Sequence, residues 1–212
     1  MNDKVKNVLE WIACILIAIV LALLIKYFIA TPTVVKSVSM KPTLIEGQRL
    51  ILDRTQRTFN KELKRGDIVT FEEPSTLQVS IDEADLENPV AKYEYKPEGL
   101  INSFQYYVLE NTKKSFIKRV IGLPGEHVKI ENGKVYINGE KLDEPYLKEG
   151  VITESLGGAF TDFTVPEGTV FLMGDNRPNS MDCREFGCIP FDKIESKVWI
   201  RVWPLNLFGK ID

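Results

Sequence analysis

The run Trp11 to Ala30, WIACILIAIVLALLIKYFIA, constrains this chain more than any other stretch. It is about 20 residues long with one charge, Lys26, near its end, and as a helix it spans a hydrocarbon core of roughly 30 Å. Lys26 can snorkel to the interface, and Trp11 and Tyr27 suit the two headgroup zones. A cleaved secretory signal is the competing reading, with Phe28-Ile29-Ala30 at the cut. The apolar stretch exceeds the usual ~7–15 residue core of such signals, and Phe28 is too large for a small-residue site. An uncleaved membrane anchor is therefore favoured. Positive charge does not orient it, because Lys4 and Lys6 precede the run while Lys26, Lys36 and Lys41 follow it.

After Val34 the pattern turns to β. Arg49 to Leu52, Asp67 to Phe71 and Phe116 to Ile121 are short β-branched or apolar runs, and each reads as a strand. His127 to Ile130 meets Asn132-Gly133, and Lys134 to Ile137 meets Asn138-Gly139. Asn-Gly between alternating apolar residues is a strong hairpin signal, so a meander is expected here. Thr169 to Met173 and Lys197 to Trp203 complete a β-rich domain. No amphipathic helix of useful length is expected after Ala30. Residues 72–115 depart from this pattern: nine acids up to Glu110 stand against only Lys92 and Lys96. This stretch reads as an acidic insert, either a surface lobe or a solvated loop between two core strands.

The net charge of −3 gives no sign of a nucleic-acid partner. His127 is the single histidine, which excludes a multi-histidine metal site and leaves one candidate for a Ser-His mechanism. Cys14, Cys183 and Cys188 show no metal-ligand spacing. Cys183 and Cys188 flank a turn, and both a bridge and two packed free thiols are open readings.

Three segments carry chemistry. In Ser37-Val38-Ser39-Met40-Lys41-Pro42-Thr43-Leu44 an extended backbone would put both serines on one face, and Pro42 biases Lys41 towards extension. A plain linker has the same composition. Alternation along Phe116 to Ile121 sets Lys118 on a face with Phe116 and Val120. Burial there would lower the lysine pKa and make it a usable base, whereas an exposed strand would leave it solvated. Gly174 to Gly187, GDNRPNSMDCREFG, is dense in turn formers, and Asp175, Arg177, Asp182 and Arg184 are placed to form ion pairs.

Taken together these segments resemble the bacterial type I signal peptidases. SVSMKPTL is similar to the nucleophile box of that family, GDIVTF at Gly66 to Phe71 to a further box, KRVIGLPGE to the general-base box and GDNRPNSMDCREFG to the loop box. The likeness runs from Ser37 to the C-terminus apart from the acidic insert. Pro178 stands where the family usually has Asp, and Cys183 where it usually has Ser.

The resemblance implies a mainly β fold: a single N-terminal transmembrane helix, then a large antiparallel β-sheet or barrel-like catalytic domain. It divides the chain into a cytoplasmic 1–10, an anchor at 11–30 and an extracytoplasmic domain at 31–212, on the outer face of a bacterial plasma membrane. It makes Ser39 the nucleophile and Lys118 the general base. The Ser39 N–H and the Ser37 hydroxyl would form the oxyanion hole, and Ser180 would hydrogen-bond to Lys118 and orient it. Asp175 would pair with Arg119 and Asp182 with Arg184. The implied partners are secretory preproteins, cut after alanine at the first and third positions before the bond, and the lipid bilayer. No cofactor, metal or nucleic acid is expected, and the chain is expected to act as a monomer. A self-cleaving repressor-type protease shares the dyad but needs a DNA-binding domain where this chain has an anchor. A tethered binding module with structural serines is the non-enzymatic alternative.

Overall fold

The computed structural model describes residues 3–59, 61–155 and 157–211; Met1, Asn2, Asn60, Leu156 and Asp212 lie outside the described residues. The apolar run is one helix, α1 (Asp3–Phe28). Its Lys4–Phe28 stretch contains an 18-residue window of mean hydropathy 3.0, none of whose residues is buried by the rest of the protein. At 1.5 Å per residue it is about 38 Å long, enough to cross a bilayer core.

Eleven strands follow among the described residues. They are β1 (Ala30–Val34), β2 (Arg49–Asp53), β3 (Ile68–Glu72), β4 (Ser115–Gly122), β5 (His127–Glu131), β6 (Lys134–Ile137), β7 (Glu140–Lys141), β8 (Asp162–Thr164), β9 (Thr169–Met173), β10 (Ile189–Pro190) and β11 (Ile194–Trp203). A seven-stranded sheet runs β1-β2-β11-β3-β4-β9-β10, and a four-stranded sheet runs β7-β6-β5-β8. Every pair in both sheets is antiparallel. The two Asn-Gly pairs adopt positive φ at both residues, with Asn132 at 51° and Gly133 at 74°, and Asn138 at 52° and Gly139 at 83°. That backbone twists with the strands it joins, which is why this dipeptide closes the β5-β6-β7 meander.

Two apolar cores form. The larger lies between the sheets and includes Phe71, Val120, Ile121, Val128, Phe163, Phe171, Leu172 and Phe186. The smaller gathers Val35, Met40, Leu44, Leu50, Leu52, Ile68 and Val198 under the Ser37–Leu44 segment. Met40 and Leu44 are fully buried, so the serines between Lys36 and Lys41 are held by apolar anchors rather than swinging on a linker.

Two features of the insert differ from the sequence reading. The acidic insert carries a helical run, Leu100–Phe104 continuing through a wider turn at Gln105–Leu109. It escapes a periodicity search because its apolar stripe faces outwards and Gly99, at φ 80°, opens it without a side-chain cap. The insert is also tied down: Val79 and Ala91 enter the larger core, and Tyr106 donates to Glu72 Oε1 at 2.8 Å. A further feature, on which the sequence made no choice, is that β11 turns Trp199 and Trp203 to solvent, and Leu205, Leu207 and Phe208 are exposed with them.

Candidate active site

The Ser37–Leu44 segment is not extended throughout. Val38–Met40 forms a single 3₁₀ turn capped by Ser37, whose Oγ accepts the Ser39 N–H at 3.2 Å. Lys41, before Pro42, returns to extended backbone at φ −66°, ψ 139°. The turn lifts Ser37 into solvent and tucks Ser39 inside, so the two hydroxyls occupy different environments.

Ser39 is 4% exposed and meets Lys118, also 4% exposed, with Lys118 Nζ 2.7 Å from Ser39 Oγ. Lys118 comes from the middle of β4, where both strand faces are buried, and its ammonium lies 5.4 Å from the Phe116 ring centre. Burial is the main influence on this lysine and pulls its pKa down to about 8. The Asp182 carboxylate works in the other direction, and the Arg184 guanidinium offsets it.

The loop after β9 holds this pair in place. Asn176 donates its backbone N–H to Ser39 O at 2.9 Å and its Nδ2 to Val38 O at 3.1 Å. Gly174 is required at the crossing: a Cβ there would sit 2.1 Å from Ser180 Oγ and 2.5 Å from Ser39 O. Arg119 binds Asp175 through two bonds, Nε to Oδ1 at 3.0 Å and Nη2 to Oδ2 at 2.9 Å. Thr43 donates to the same carboxylate at 2.5 Å, which links the Ser37–Leu44 segment to β4 and the loop. Arg184 grips Asp182 likewise, at 2.8 and 2.9 Å. Burial alone would raise the Asp182 pKa, but the Arg184 bonds reverse that and hold the carboxyl ionised. Arg177, read as another pair within the loop, instead reaches out to Glu144 and to Thr153 Oγ1 at 2.7 Å.

Ser180 differs from expectation. Its hydroxyl donates to Asp182 Oδ2 at 2.7 Å, and no hydrogen bond joins it to Lys118 among the described residues. A fully buried carboxylate attracts a hydroxyl proton more strongly than an amine does. The two donors expected to form an oxyanion hole bond to each other instead, because Ser37 Oγ occupies the Ser39 N–H. At 3.2 Å that bond is long and weak enough for a charged oxygen to replace it. Pro178 lies in a one-turn 3₁₀ segment, Arg177–Asn179. Cys183, in place of the usual Ser, accepts the Leu172 N–H at 3.2 Å. Cys183 and Cys188 are both free and buried. His127 lies on the second sheet with its ring 2.8 Å from Asp162 Oδ1, half-exposed and away from Ser39.

A cleft of about 680 Å³ leads to the Ser39–Lys118 contact. One wall is Thr31–Ser37 and the other Ser115–Lys118, while Leu52, Thr70 and Glu195 from the intervening strands floor it. β1 is the edge of its sheet. β4 pairs with β9 only from Arg119 onwards, so the Ser115–Lys118 edge has no strand beside it on that side. Two open backbone edges facing across a trough make a slot for an extended peptide. The floor also carries features that the sequence reading missed, the Arg54–Glu110 pair and the Lys113–Glu195 pair at 2.7 Å. Arg54 and Glu110 are separated by most of the insert, so no local pattern could reveal them.

A buried serine against a buried lysine, at the foot of a peptide-shaped slot in an antiparallel β domain, belongs to a serine protease. The chain is a member of the signal peptidase family, peptidase S26, whose model matches residues 8–203. It is 35% identical to signal peptidase I of Bacillus licheniformis over 100% of this chain and 97% of that one. It is 37% identical to signal peptidase I T of Bacillus subtilis (strain 168), over 97% of this chain and 90% of the other. A crystal structure of a signal peptidase I from Enterococcus faecalis V583 is 28% identical, covering 65% of this chain and 97% of that one, with a TM-score of 0.40.

Proposed function

We propose that this protein is a membrane-anchored endopeptidase that removes signal peptides from secretory preproteins on the outer face of the plasma membrane. The observation that carries the reading is the 2.7 Å contact between Lys118 Nζ and Ser39 Oγ, both out of water. Neutral Lys118 takes the Ser39 proton as Oγ attacks the scissile carbonyl. The oxygen of that carbonyl gains the negative charge and draws the Ser39 N–H away from Ser37 Oγ, while the Ser37 hydroxyl turns its proton inwards. Protonated Lys118 gives its proton to the leaving amine, the mature chain departs, and an ester joins Ser39 to the signal peptide. Water, deprotonated by the again neutral Lys118, hydrolyses the ester and restores Ser39. The Arg119–Asp175 and Arg184–Asp182 pairs are positioning elements that keep the loop against Ser39. Ser180 supports Asp182, and acts on Lys118 through that carboxylate.

The substrate lies extended between β1 and β4, so its first and third residues before the cut point to the same face. With shallow pockets there, alanine at both positions is accepted. The test is digestion of a labelled preprotein by the purified full-length enzyme and by Ser39→Ala. Cleavage by the wild type after alanine, none by the variant and none when Phe replaces the residue before the cut is the expected result. Full activity in Ser39→Ala would remove the mechanism.

A further inference from the structure

One surface element answers to nothing in that mechanism. The helical run Leu100–Leu109 reads LINSFQYYVL, with no charge over its whole length although the insert around it is rich in acids. Tyr106 is buried and fixes one face through Glu72. The opposite face presents Leu100, 91% exposed, and Ile101, 75% exposed, with Phe104 and Tyr107 also exposed. These positions, at i, i+1, i+4 and i+7, make one apolar stripe along the helix. A helix lying in water normally turns charge outwards. This one buries a tyrosine hydrogen-bonded to a carboxylate and shows leucine, isoleucine and phenylalanine to its surroundings.

Its position identifies the occupant. Lys26, in the last turn of α1, donates from Nζ to the Leu109 carbonyl at 2.6 Å. The Leu109 end of the run therefore sits against the end of the apolar anchor. We propose that Leu100–Leu109 lies in the outer headgroup layer of the bilayer, its Leu100-Ile101-Phe104-Tyr107 stripe dipping into lipid beside α1. Phe and Tyr with Leu and Ile on one face are the side chains that such interfacial helices use. A second copy of the chain or a protein partner fits less well, because Lys26 joins the run to the membrane segment. Lys26, Leu109 and Glu110 also line the cleft. Seating this helix in the interface sets the cleft entrance at the height where a signal peptide leaves the bilayer. The inference rests on α1 being a membrane anchor.

The experiment uses full-length protein in phosphatidylcholine–phosphatidylglycerol nanodiscs, in a Cys14→Ser background where the buried Cys183 and Cys188 stay unlabelled. Single variants Ile101→Cys, Leu21→Cys and Glu140→Cys each carry a bimane label. The expected result is that a nitroxide near the lipid headgroup quenches the label at 101 severalfold more than the one at 140, and that iodide in water quenches it severalfold less. The label at 21, quenched by a deep nitroxide, reports the anchor separately. A lipid-quenched 21 with a water-exposed 101 overturns this inference alone. A water-exposed 21 overturns the anchor reading and this inference with it. A label at 101 shielded from iodide but untouched by lipid nitroxide, with shielding that depends on protein concentration, assigns the stripe to a protein partner and also overturns it. In the same discs, a triple Leu100→Ser, Ile101→Ser, Phe104→Ser variant should cleave a membrane-embedded preprotein about tenfold more slowly and a short soluble peptide at the wild-type rate. Equal rates on the embedded substrate would contradict the proposal.

Discussion

Two lysines five residues apart, Lys113 and Lys118, are both removed from water and meet opposite fates. Lys118 is 4% exposed and the Lys113 side chain 6% exposed. Burial acts first on each, and in each it disfavours the ammonium. Around Lys113 that tendency is reversed, because Glu195 lies 2.7 Å away and Glu72 3.2 Å away, and its pKa rises. Around Lys118 no carboxylate makes an ion pair among the described residues. The nearest acids of the loop are each paired with an arginine, Asp175 with Arg119 and Asp182 with Arg184, and the Arg184 guanidinium offsets part of the upward pull of Asp182 on the amine. Burial then prevails and the pKa falls to about 8. The lysine pKa is therefore lowered chiefly by hiding the amine, and it stays low because the acids nearby are held in ion pairs rather than against it.

The largest effect that tests this contrast is Lys118→Arg. A guanidinium stays protonated and cannot accept the Ser39 proton, so turnover should fall by about 10²–10⁴, the usual contribution of a positioned base, or more. Lys113→Arg, which keeps a cation between Glu72 and Glu195, should retain turnover within severalfold. Comparable losses in both variants, measured with a soluble peptide, would erase the distinction between the two sites. Next in size is Ser37→Ala. Removing one oxyanion donor typically costs about 10²–10³ in rate. It also removes the cap of the 3₁₀ turn, so a kcat loss with an unchanged KM separates the oxyanion role from a general loosening of the segment.

What could be read from the sequence divides along the same line. Strand positions, the Asn-Gly turns and the segments holding Ser39, Lys118, Asp175 and Asp182 are encoded locally, as alternation, turn chemistry or contiguous motifs. The Lys113–Glu72–Glu195 cluster is not. Its members lie just before β4, at the end of β3 and in β11, and only the sheet order puts them together. Lys113 stands in the acidic stretch, where a lysine looks solvated. The Ser180–Asp182 bond was hidden for a related reason, since a hydroxyl between an amine and a carboxylate has two partners in reach and composition does not choose between them. The outward apolar stripe of Leu100–Leu109 is invisible to any rule that equates apolar periodicity with a buried face.

Stability separates the two lysines with opposite signs. Lys113→Met leaves Glu72 and Glu195 buried with their main cation gone and should destabilise the protein by about 3–5 kcal/mol. Lys118→Met should stabilise it by about 1–3 kcal/mol near neutral pH, because a lysine that titrates near 8 when folded and near 10.5 when unfolded opposes folding at neutral pH. Between those two values the unfolded chain holds the extra proton. The Lys118 contribution to stability therefore rises as pH climbs from 8 to 10.5, and the full penalty applies below 8. Lys113 contributes in the other sense: its stabilisation is complete below 10.5 and disappears as pH rises through its higher folded value. Denaturant titration of the full chain in detergent reads both, and a loss of stability in Lys118→Met would show that the amine is held charged.

The smallest expected effect concerns His127. Activity on a soluble peptide should climb with pH along a limb centred near 8, as Lys118 loses its proton, well below the range of a solvated lysine. A histidine base would place the limb near 6.5 instead. His127 faces Asp162 on the second sheet, half-exposed, with no path to Ser39 Oγ. His127→Ala should therefore leave the rate within about twofold and the limb where it was, since an exposed side chain far from the reacting atoms changes little. The profile matters more than the rate here. Any change that loosened the second sheet would lower activity at all pH values alike, whereas loss of a base would remove the limb itself. If the limb lay near 6.5 and vanished in His127→Ala while Lys118→Arg still cleaved, a Ser-His mechanism would replace the dyad.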